Sequence, residues 1–342
     1  MSTAPAPPDV PPFQIQTLIA GIKNARCGCA LGSEIYIGCD NGQLIRFALQ
    51  AESPDKLESY REMSRQNLPG DKPVDEIVVL PSLYRALVFS DHQIHFYTLP
   101  TLDPVPLSVI KPLRHVQAFA VDHAQLKRPV PPPSAPISSL EPVDFCVIKR
   151  SSIALYSLRD RLFYQKEIPL PNGGTLARRC GQYLCIADKT QYNIVDLANA
   201  QLIELMPISQ APVPFNGAPG ICVTNDQPTA AEFLILSWTG ASTLGVFINN
   251  AGDPVRGTLE WPDHPRSVVL DGPYIAALLP NRTIEIHSLE TQTIQQVVSA
   301  PHDDAEARIM LSAALNAYLV PSTQKADKMR KVKISLLRPQ TT

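Results

Sequence analysis

Ile35-Tyr-Ile-Gly-Cys-Asp-Asn-Gly-Gln-Leu-Ile-Arg-Phe-Ala-Leu49 carries the pattern that decides the fold. An apolar run, Ile35–Cys39, meets the polar turn Asp40-Asn41-Gly42, and a second apolar run follows over Gln43–Leu49. β-Branched and aromatic residues on both sides of a glycine-containing turn predict an antiparallel hairpin. Asn41-Gly42 is the strongest turn signal in the chain, since a two-residue type I′ turn needs positive φ at both positions.

The same phrase returns along the chain. It is found at Ala86–Phe89 and Ile94–Leu99 around Asp91–Gln93, and at Phe145–Ile148 and Ile153–Leu158 around Lys149–Ser152. Tyr183–Ala187 with Tyr192–Leu197 is the fourth, and Phe233–Leu236 with Leu244–Ile248 the fifth. Tyr274–Leu279 with Ile284–Leu289 and Ala317–Val320 with Val332–Leu337 complete the series. Units of about 47 residues have the period of propeller blades. Shorter strand candidates lie between the hairpins at Val116–Val121, Thr175–Arg179, Ser267–Leu270 and Arg308–Leu311. They raise each unit to about four strands, and runs apolar on both faces, such as Phe233-Leu-Ile-Leu236, suit sheets packed between neighbouring sheets. Phe13–Ile19 alternates apolar and polar residues and reads as an N-terminal strand closing the ring in the last blade. The expected fold is all-β: a β-propeller of seven blades of about four antiparallel strands, closed by that strand. A stack of β-sandwiches fits the same strand signals, but no linker divides the chain midway. Weakly patterned stretches such as Ile203–Met206 leave six or eight blades open.

Composition narrows the function. With 342 residues, 44% hydrophobic and 18% charged, the chain can bury a large core. Its 34 prolines, about twice ordinary usage, argue against a helical bundle. A net charge of −2 offers no general attraction to nucleic acid. Met1–Pro12 has five prolines but neither a basic nor an apolar segment, so it reads as a disordered tail and not a secretory signal. The apolar stretch Ser267–Pro280 is interrupted by Asp271 and is too short to span a bilayer. Seven cysteines without a signal fit reduced thiols in the cytoplasm.

Catalytic signatures are missing from the sequence. There is no Gly-x-Ser-x-Gly, no phosphate-cradling glycine loop followed by Lys-Ser/Thr, and no His-Glu-x-x-His. Asp91-His92 and His95 lie in a strand turn, where hairpin-tip histidines explain them better than base catalysis. Cys27-x-Cys29, the lone Cys39, and Cys180 with Cys185 lack zinc-site spacing and read as buried thiols. His302-Asp303-Asp304 reads as a polar loop. No cofactor or metal is expected.

Three segments interrupt the repeat. Ala51–Pro69 is polar with charges of both signs and reads as a long loop or a surface helix. Pro129–Pro142, with six prolines in fourteen residues, reads as an extended, solvated excursion. Lys325–Arg338 holds six of the 30 basic residues and one of the 32 acidic ones, leaving 24 basic against 31 acidic elsewhere. Lys325, Lys328, Arg330, Lys331 and Lys333 are therefore candidates to meet an acidic partner or anionic headgroups, against a plain solvated hairpin.

The blade phrases also resemble a known family. Lys72-Pro-Val-Asp-Glu-Ile77, Leu87-Val-Phe-Ser-Asp-His-Gln-Ile94 and Phe145-Cys-Val147 are similar, in order and spacing, to a citron-homology (CNH) domain. So are Thr190-Gln-Tyr192, Pro273-Tyr-Ile-Ala-Ala-Leu278 and Thr283-Ile-Glu-Ile-His-Ser288. The likeness runs from about Phe13 to Leu337 and is to the CNH domains of tethering subunits of the CORVET complex, with HOPS paralogues. It implies a single non-enzymatic interaction domain over 13–338, with its Pro-rich insertion at 129–142. Residues 339–342 would lead to an α-solenoid. It further implies a role in vesicle tethering and vacuolar or lysosomal sorting, peripheral placement on endosomal membranes, and partners among early-endosomal Rab GTPases and other tether subunits. A scaffold propeller that contacts only tether subunits is the alternative. The matching residues are scaffold, so they locate no GTPase contact.

Overall fold

Strand β1 (Phe13–Ala20) pairs across the whole length of the chain. In the computed structural model it runs antiparallel to β27 (Lys328–Ile334), with Phe13 opposite Ile334 and Ala20 opposite Lys328. With β26 (Ala317–Pro321) and β25 (Ser312–Ala314) it forms a four-stranded sheet, so the first strand completes the last blade as its sequence pattern predicts. The described residues are 13–20, 22, 24–50, 59–132, 134–136, 139–227, 229–299, 312–314, 317–321 and 328–334. The Arg308–Leu311 candidate strand, His302-Asp303-Asp304, the 1–12 tail and 339–342 lie outside them.

Blade one comprises β2 (Ala25–Leu31), β3 (Glu34–Cys39), β4 (Gln43–Gln50) and β5 (Ser59–Asn67). The second sheet has only β6 (Val74–Leu80), β7 (Arg85–Ser90) and β8 (Gln93–Thr98). Blade three comprises β9 (Ala118–Val121), β10 (Val143–Ile148), β11 (Ser152–Leu158) and β12 (Leu162–Pro169). Blade four follows with β13 (Leu176–Cys180), β14 (Tyr183–Ala187), β15 (Gln191–Asp196) and β16 (Gln201–Pro207). Blade five comprises β17 (Ile221–Asn225), β18 (Glu232–Trp238), β19 (Thr243–Asn249) and β20 (Leu259–Trp261). Blade six comprises β21 (Ser267–Asp271), β22 (Tyr274–Leu278), β23 (Thr283–Ser288) and β24 (Ile294–Ser299). Inner strands touch in turn, β9 with β13, β13 with β17, β17 with β21, β21 with β25 and β25 with β2, while β2 also meets β6.

Among the described residues the propeller therefore has six four-stranded blades where seven are expected, and the second unit is a three-stranded sheet. The cause is local. Pro100, Pro104, Pro106 and Pro112 strip amide donors from the segment that would pair with β8. That segment still lies along β8, touching it by the isolated bridges Tyr97 with Pro104 and Ile94 with Leu113.

The core is a set of wedges between sheets rather than one cluster. In β18, Phe233 and Ile235 pack toward blade four while Leu234 and Leu236 pack toward blade six, so a strand apolar on both faces is what the packing requires. Outward, the sheets end in edges that resist further pairing. Register shifts interrupt the pairing of β1, β5, β12, β16 and β24, and β20 has only three residues. Bulged or short edges turn away a foreign strand.

Two expectations need correcting and one completing. Within the polar stretch Ala51–Pro69, Ser59–Asn67 is strand β5, an outer edge wet on both faces, which has no use for an apolar alternation. The turn at Asp40-Asn41-Gly42 is a three-residue one: Gly42 (φ 79°) is left-handed, Asn41 is not, and Gly42 N–H donates to the Cys39 carbonyl at 3.3 Å. The Pro-rich insertion is solvated over most of its described residues, as expected, but it is also pinned, which its composition does not show. Leu140 is buried and Ala135 packs beside it in the wedge between blades two and three, while the Tyr84 hydroxyl donates to the Pro131 carbonyl.

Candidate functional site

The face on which the inner strands begin, the upper face, carries a cleft of about 300 Å³ lined by Arg26, Lys72, Pro73, Asp75, Phe89, Asp91, His92 and Gln117. Its wall is the β7–β8 hairpin tip. Asp91 (φ 46°) and His92 (φ 57°) are both left-handed, so the two-residue type I′ geometry occurs here without glycine. The tip is anchored to blade three: Val116 N–H donates to the His92 carbonyl at 2.9 Å, and His92 Nδ1 lies 2.9 Å from the Val116 carbonyl. A carbonyl only accepts, so Nδ1 carries a proton and Nε2 is left to the cleft. On the opposite wall Arg26 Nε donates to Asp75 Oδ1 at 2.9 Å, joining the starts of β2 and β6.

Below the cleft, Glu76 on β6 and Arg178 on β13 approach to 3.9 Å, bridging inner strands that are not neighbours in the ring. Burial raises the Glu76 carboxyl above its usual range, and Arg178 opposes that shift. At the lower face the single-turn helix α1 (His123–Leu126) follows β9. Asp122 Oδ1 caps it by accepting from Ala124 N–H and also accepts from Gly181 N–H at 3.0 Å. Lys127 Nζ meets Asp226 Oδ2 of blade five at 2.6 Å. Burial lowers His123 to about 4, so it is neutral at pH 7.

The basic residues expected to meet a partner are placed differently from a free hairpin. Lys328, Arg330, Lys331 and Lys333 lie on β27, between β1 and β26. Lys325 lies outside the described residues.

His95 lies on β8, opposite Val88, and burial lowers its pKa. Burial pushes Cys29 up to about 12 and Cys39, Cys146, Cys180 and Cys222 to about 11, so these thiols are protonated and inert at neutral pH. No three metal-capable side chains come together among the described residues.

Two buried polar clusters escape the sequence reading. Glu232 accepts from Thr224 Oγ1 at 2.7 Å and from Arg256 Nε at 2.8 Å. Between blades five and six, His287 Nε2 lies 3.3 Å from Glu285 Oε2 and its ring meets Trp261 edge-on at 5.3 Å. The available signal was charge inside an apolar phrase, as in Thr283-Ile-Glu-Ile-His-Ser288.

Comparison with known proteins agrees with this architecture. The family model described as CNH domain matches residues 32–306. Transforming growth factor-beta receptor-associated protein 1 of Mus musculus is 24% identical over 304 residues, covering 86% of this chain and 33% of the mouse protein. Vacuolar protein sorting-associated protein 3 of Saccharomyces cerevisiae is 23% identical over 317 residues, covering 85% of this chain and 28% of the yeast protein. The chain thus spans a third or less of the length of these relatives. Among solved structures, the AfRom2 CNH domain superposes with a TM-score of 0.62 at 17% identity, covering 95% of this chain and 100% of that one. The WD40 domain of Neurospora crassa Pan2 does so at 0.61 with 9% identity, over 96% and 98% of the two chains, a likeness of fold alone.

Proposed function

The chain belongs to the CNH domain family, and from that premise we propose that it is a non-enzymatic interaction domain of a CORVET-like endosomal tethering complex, serving vesicle fusion and vacuolar sorting. Its partner in this reading is an early-endosomal Rab GTPase in the GTP form, with other tether subunits binding elsewhere. The observation that carries the reading is the match over most of the chain to the CNH family, together with relatives named for vacuolar sorting. Switch loops ordered by a γ-phosphate offer a rigid propeller a surface that hydrolysis removes. One such module binds in the micromolar range, about −8 kcal/mol, and multivalency in an assembled tether strengthens it. Lys328, Arg330, Lys331 and Lys333 add a weak, salt-sensitive pull toward anionic membrane, which places the protein peripherally on endosomes.

Calorimetry against a panel of endosomal Rab GTPases, each with a GTP analogue and with GDP, tests the reading. Selective binding of one GTP form is expected. Flat traces for every pair would leave the scaffold alternative, in which the propeller contacts only other tether subunits.

A further inference from the structure

The sequence contains three Asn-Gly pairs, Asn41-Gly42, Asn172-Gly173 and Asn216-Gly217. Such a pair can react with itself: the glycine nitrogen and the asparagine side-chain amide close a five-membered ring, and glycine has no Cβ to hinder it. All three asparagines are exposed, so solvent access does not separate them. The glycine backbone does. Gly42 and Gly173 are buried at left-handed φ (79° and 62°), and their N–H groups donate to the Cys39 carbonyl at 3.3 Å and the Leu170 carbonyl at 3.0 Å. The Asn41 side chain is committed as well, its Oδ1 accepting from Gln43 N–H at 3.2 Å. A bonded, buried amide must open locally before it can turn on the neighbouring side chain.

Asn216-Gly217 is held differently. It lies in the connection from blade four to blade five, on a stretch where Pro212, Pro214 and Pro219 have no N–H to give. Residues 212–219 make no backbone–backbone hydrogen bond among the described residues, and neither Gly217 N–H nor the Asn216 side chain has a hydrogen-bond partner there. Side chains fix the stretch instead. Phe215 stacks on Trp238 with ring centroids 6.0 Å apart, His264 meets Phe215 edge-on at 4.9 Å, and the Ala218 carbonyl accepts from His264 Nε2 at 2.7 Å. Gly217 passes so close to the Phe215 ring that a Cβ there would sit 2.1 Å from its Cζ.

We propose that Asn216 is a modification site, converting spontaneously to aspartate and isoaspartate in the folded protein ahead of Asn41 and Asn172. The Gly217 nitrogen gives its proton to solvent base and attacks Asn216 Cγ. The N–Cγ bond forms, the Cγ–Nδ2 bond breaks, and Nδ2 takes up a proton and leaves as ammonia. Water then opens the succinimide. Attack at Cγ breaks the new bond and gives aspartate. Attack at the main-chain carbonyl carbon of residue 216 breaks the original peptide bond and leaves the chain running through the β-carboxyl. Either product adds one negative charge. The isoaspartyl product also lengthens the main chain by one methylene between Phe215 and Ala218, so the ring on Trp238 and the carbonyl at His264 cannot both keep their places. This chemistry does not depend on the tethering reading.

Peptide mapping by mass spectrometry tests it on the whole chain aged at mildly alkaline pH, each conversion adding a single mass unit. In the folded chain position 216 should convert at least about fivefold faster than 41 and 172, the protection that a bonded amide gives. The same chain aged in guanidinium chloride is the control, where the three pairs should agree within about twofold. Tryptophan emission should shift as isoaspartate accumulates, and Asn216→Gln should abolish both the conversion and the shift. Asn216→Asp carries the charge without the longer main chain and should keep the emission of fresh wild type. Thermal melting confirms that each variant is folded. The inference is overturned if position 41 or 172 keeps pace with 216 in the folded chain, or if 216 is silent while the unfolded chain converts. Isoaspartate at 216 with unchanged emission, or an equal drift in Asn216→Gln, would also overturn it.

Discussion

The junction between blades two and three and the junction between blades five and six solve the same packing problem with opposite chemistry. At the first, a sheet lacks its fourth strand and the gap is covered by irregular, proline-rich chain, yet apolar side chains fill the wedge: Leu87, Phe96, Val105, Ile110, Phe119, Leu140 and Phe145 share it. At the second, each blade has four strands, yet Glu285 and His287 sit in the wall against Trp261. His287 Nδ1 and Trp261 Nε1 are both buried without a protein partner. Regular backbone and apolar filling are therefore separable. An irregular edge is tolerated where side chains still interdigitate, and a polar cluster where the strands hold its geometry.

Removing the aromatic wall at the polar junction should have the largest effect. Trp261 is fully buried on the three-residue β20, so few backbone bonds hold its surroundings once the ring is gone. Trp261→Ala is expected to cost about 3–5 kcal/mol in denaturant unfolding. It also opens Glu285 and His287 to water. If the loss were under about 1 kcal/mol, the junction would not depend on that ring.

At the apolar junction, Leu140→Ala is expected to cost about 2 kcal/mol, the low end for a buried leucine, since Leu140 comes from the insertion and retains 8% exposure. A negligible cost would return the insertion to the solvated excursion that its composition suggests. How legible each junction was in the sequence follows from the same contrast. Hairpins were readable because turn residues and two-faced apolar runs are local signals, as Ile35–Leu49 and Phe233–Leu236 illustrate. The closing strand was readable because its alternation had no adjacent partner. The missing fourth strand of the second sheet is a matter of backbone donors, visible in the spacing of Pro100, Pro104, Pro106 and Pro112 but hidden beneath a blade period. The cleft was not legible, since Arg26, Asp75, Phe89 and Gln117 meet only when three blades converge. Asp91-His92 is legible as a hairpin tip, but its tie to Val116 is a tertiary contact.

The junctions also differ in their response to pH. Burial lowers His287 below an ordinary imidazole, with Glu285 opposing the shift in part. The unfolded chain takes up that proton first, so this histidine contributes stability above about pH 6.5 that is lost as the pH falls through that value toward the folded pKa. His123, lowered to about 4, acts in the same direction down to that value. Asp271 on β21 acts in the opposite direction: raised to about 6, it contributes stability at low pH that is lost as the pH rises through about 6. Melting curves between pH 7.5 and 5 should show wild type losing stability on acidification, with a smaller loss in His287→Gln and a larger one in Asp271→Asn. An unchanged acid limb in His287→Gln would remove this junction from the pH response.

The smallest effect should come from one polar contact at the apolar junction. Tyr84 stands at a left-handed position (φ 51°) after the short 3-10 turn Pro81–Leu83, and its hydroxyl donates to the Pro131 carbonyl. Tyr84→Phe keeps the ring and deletes only that bond, at about 1 kcal/mol or less in global stability. The local readout is sharper. If the contact holds the proline-rich segment against the second sheet, limited proteolysis within 128–142 should become several-fold faster while the global melting temperature barely moves. Equal cleavage rates would mean that Ala135 and Leu140 hold the insertion without the hydroxyl. The repair of the incomplete sheet would then be hydrophobic alone, and the contrast with the polar junction between blades five and six complete.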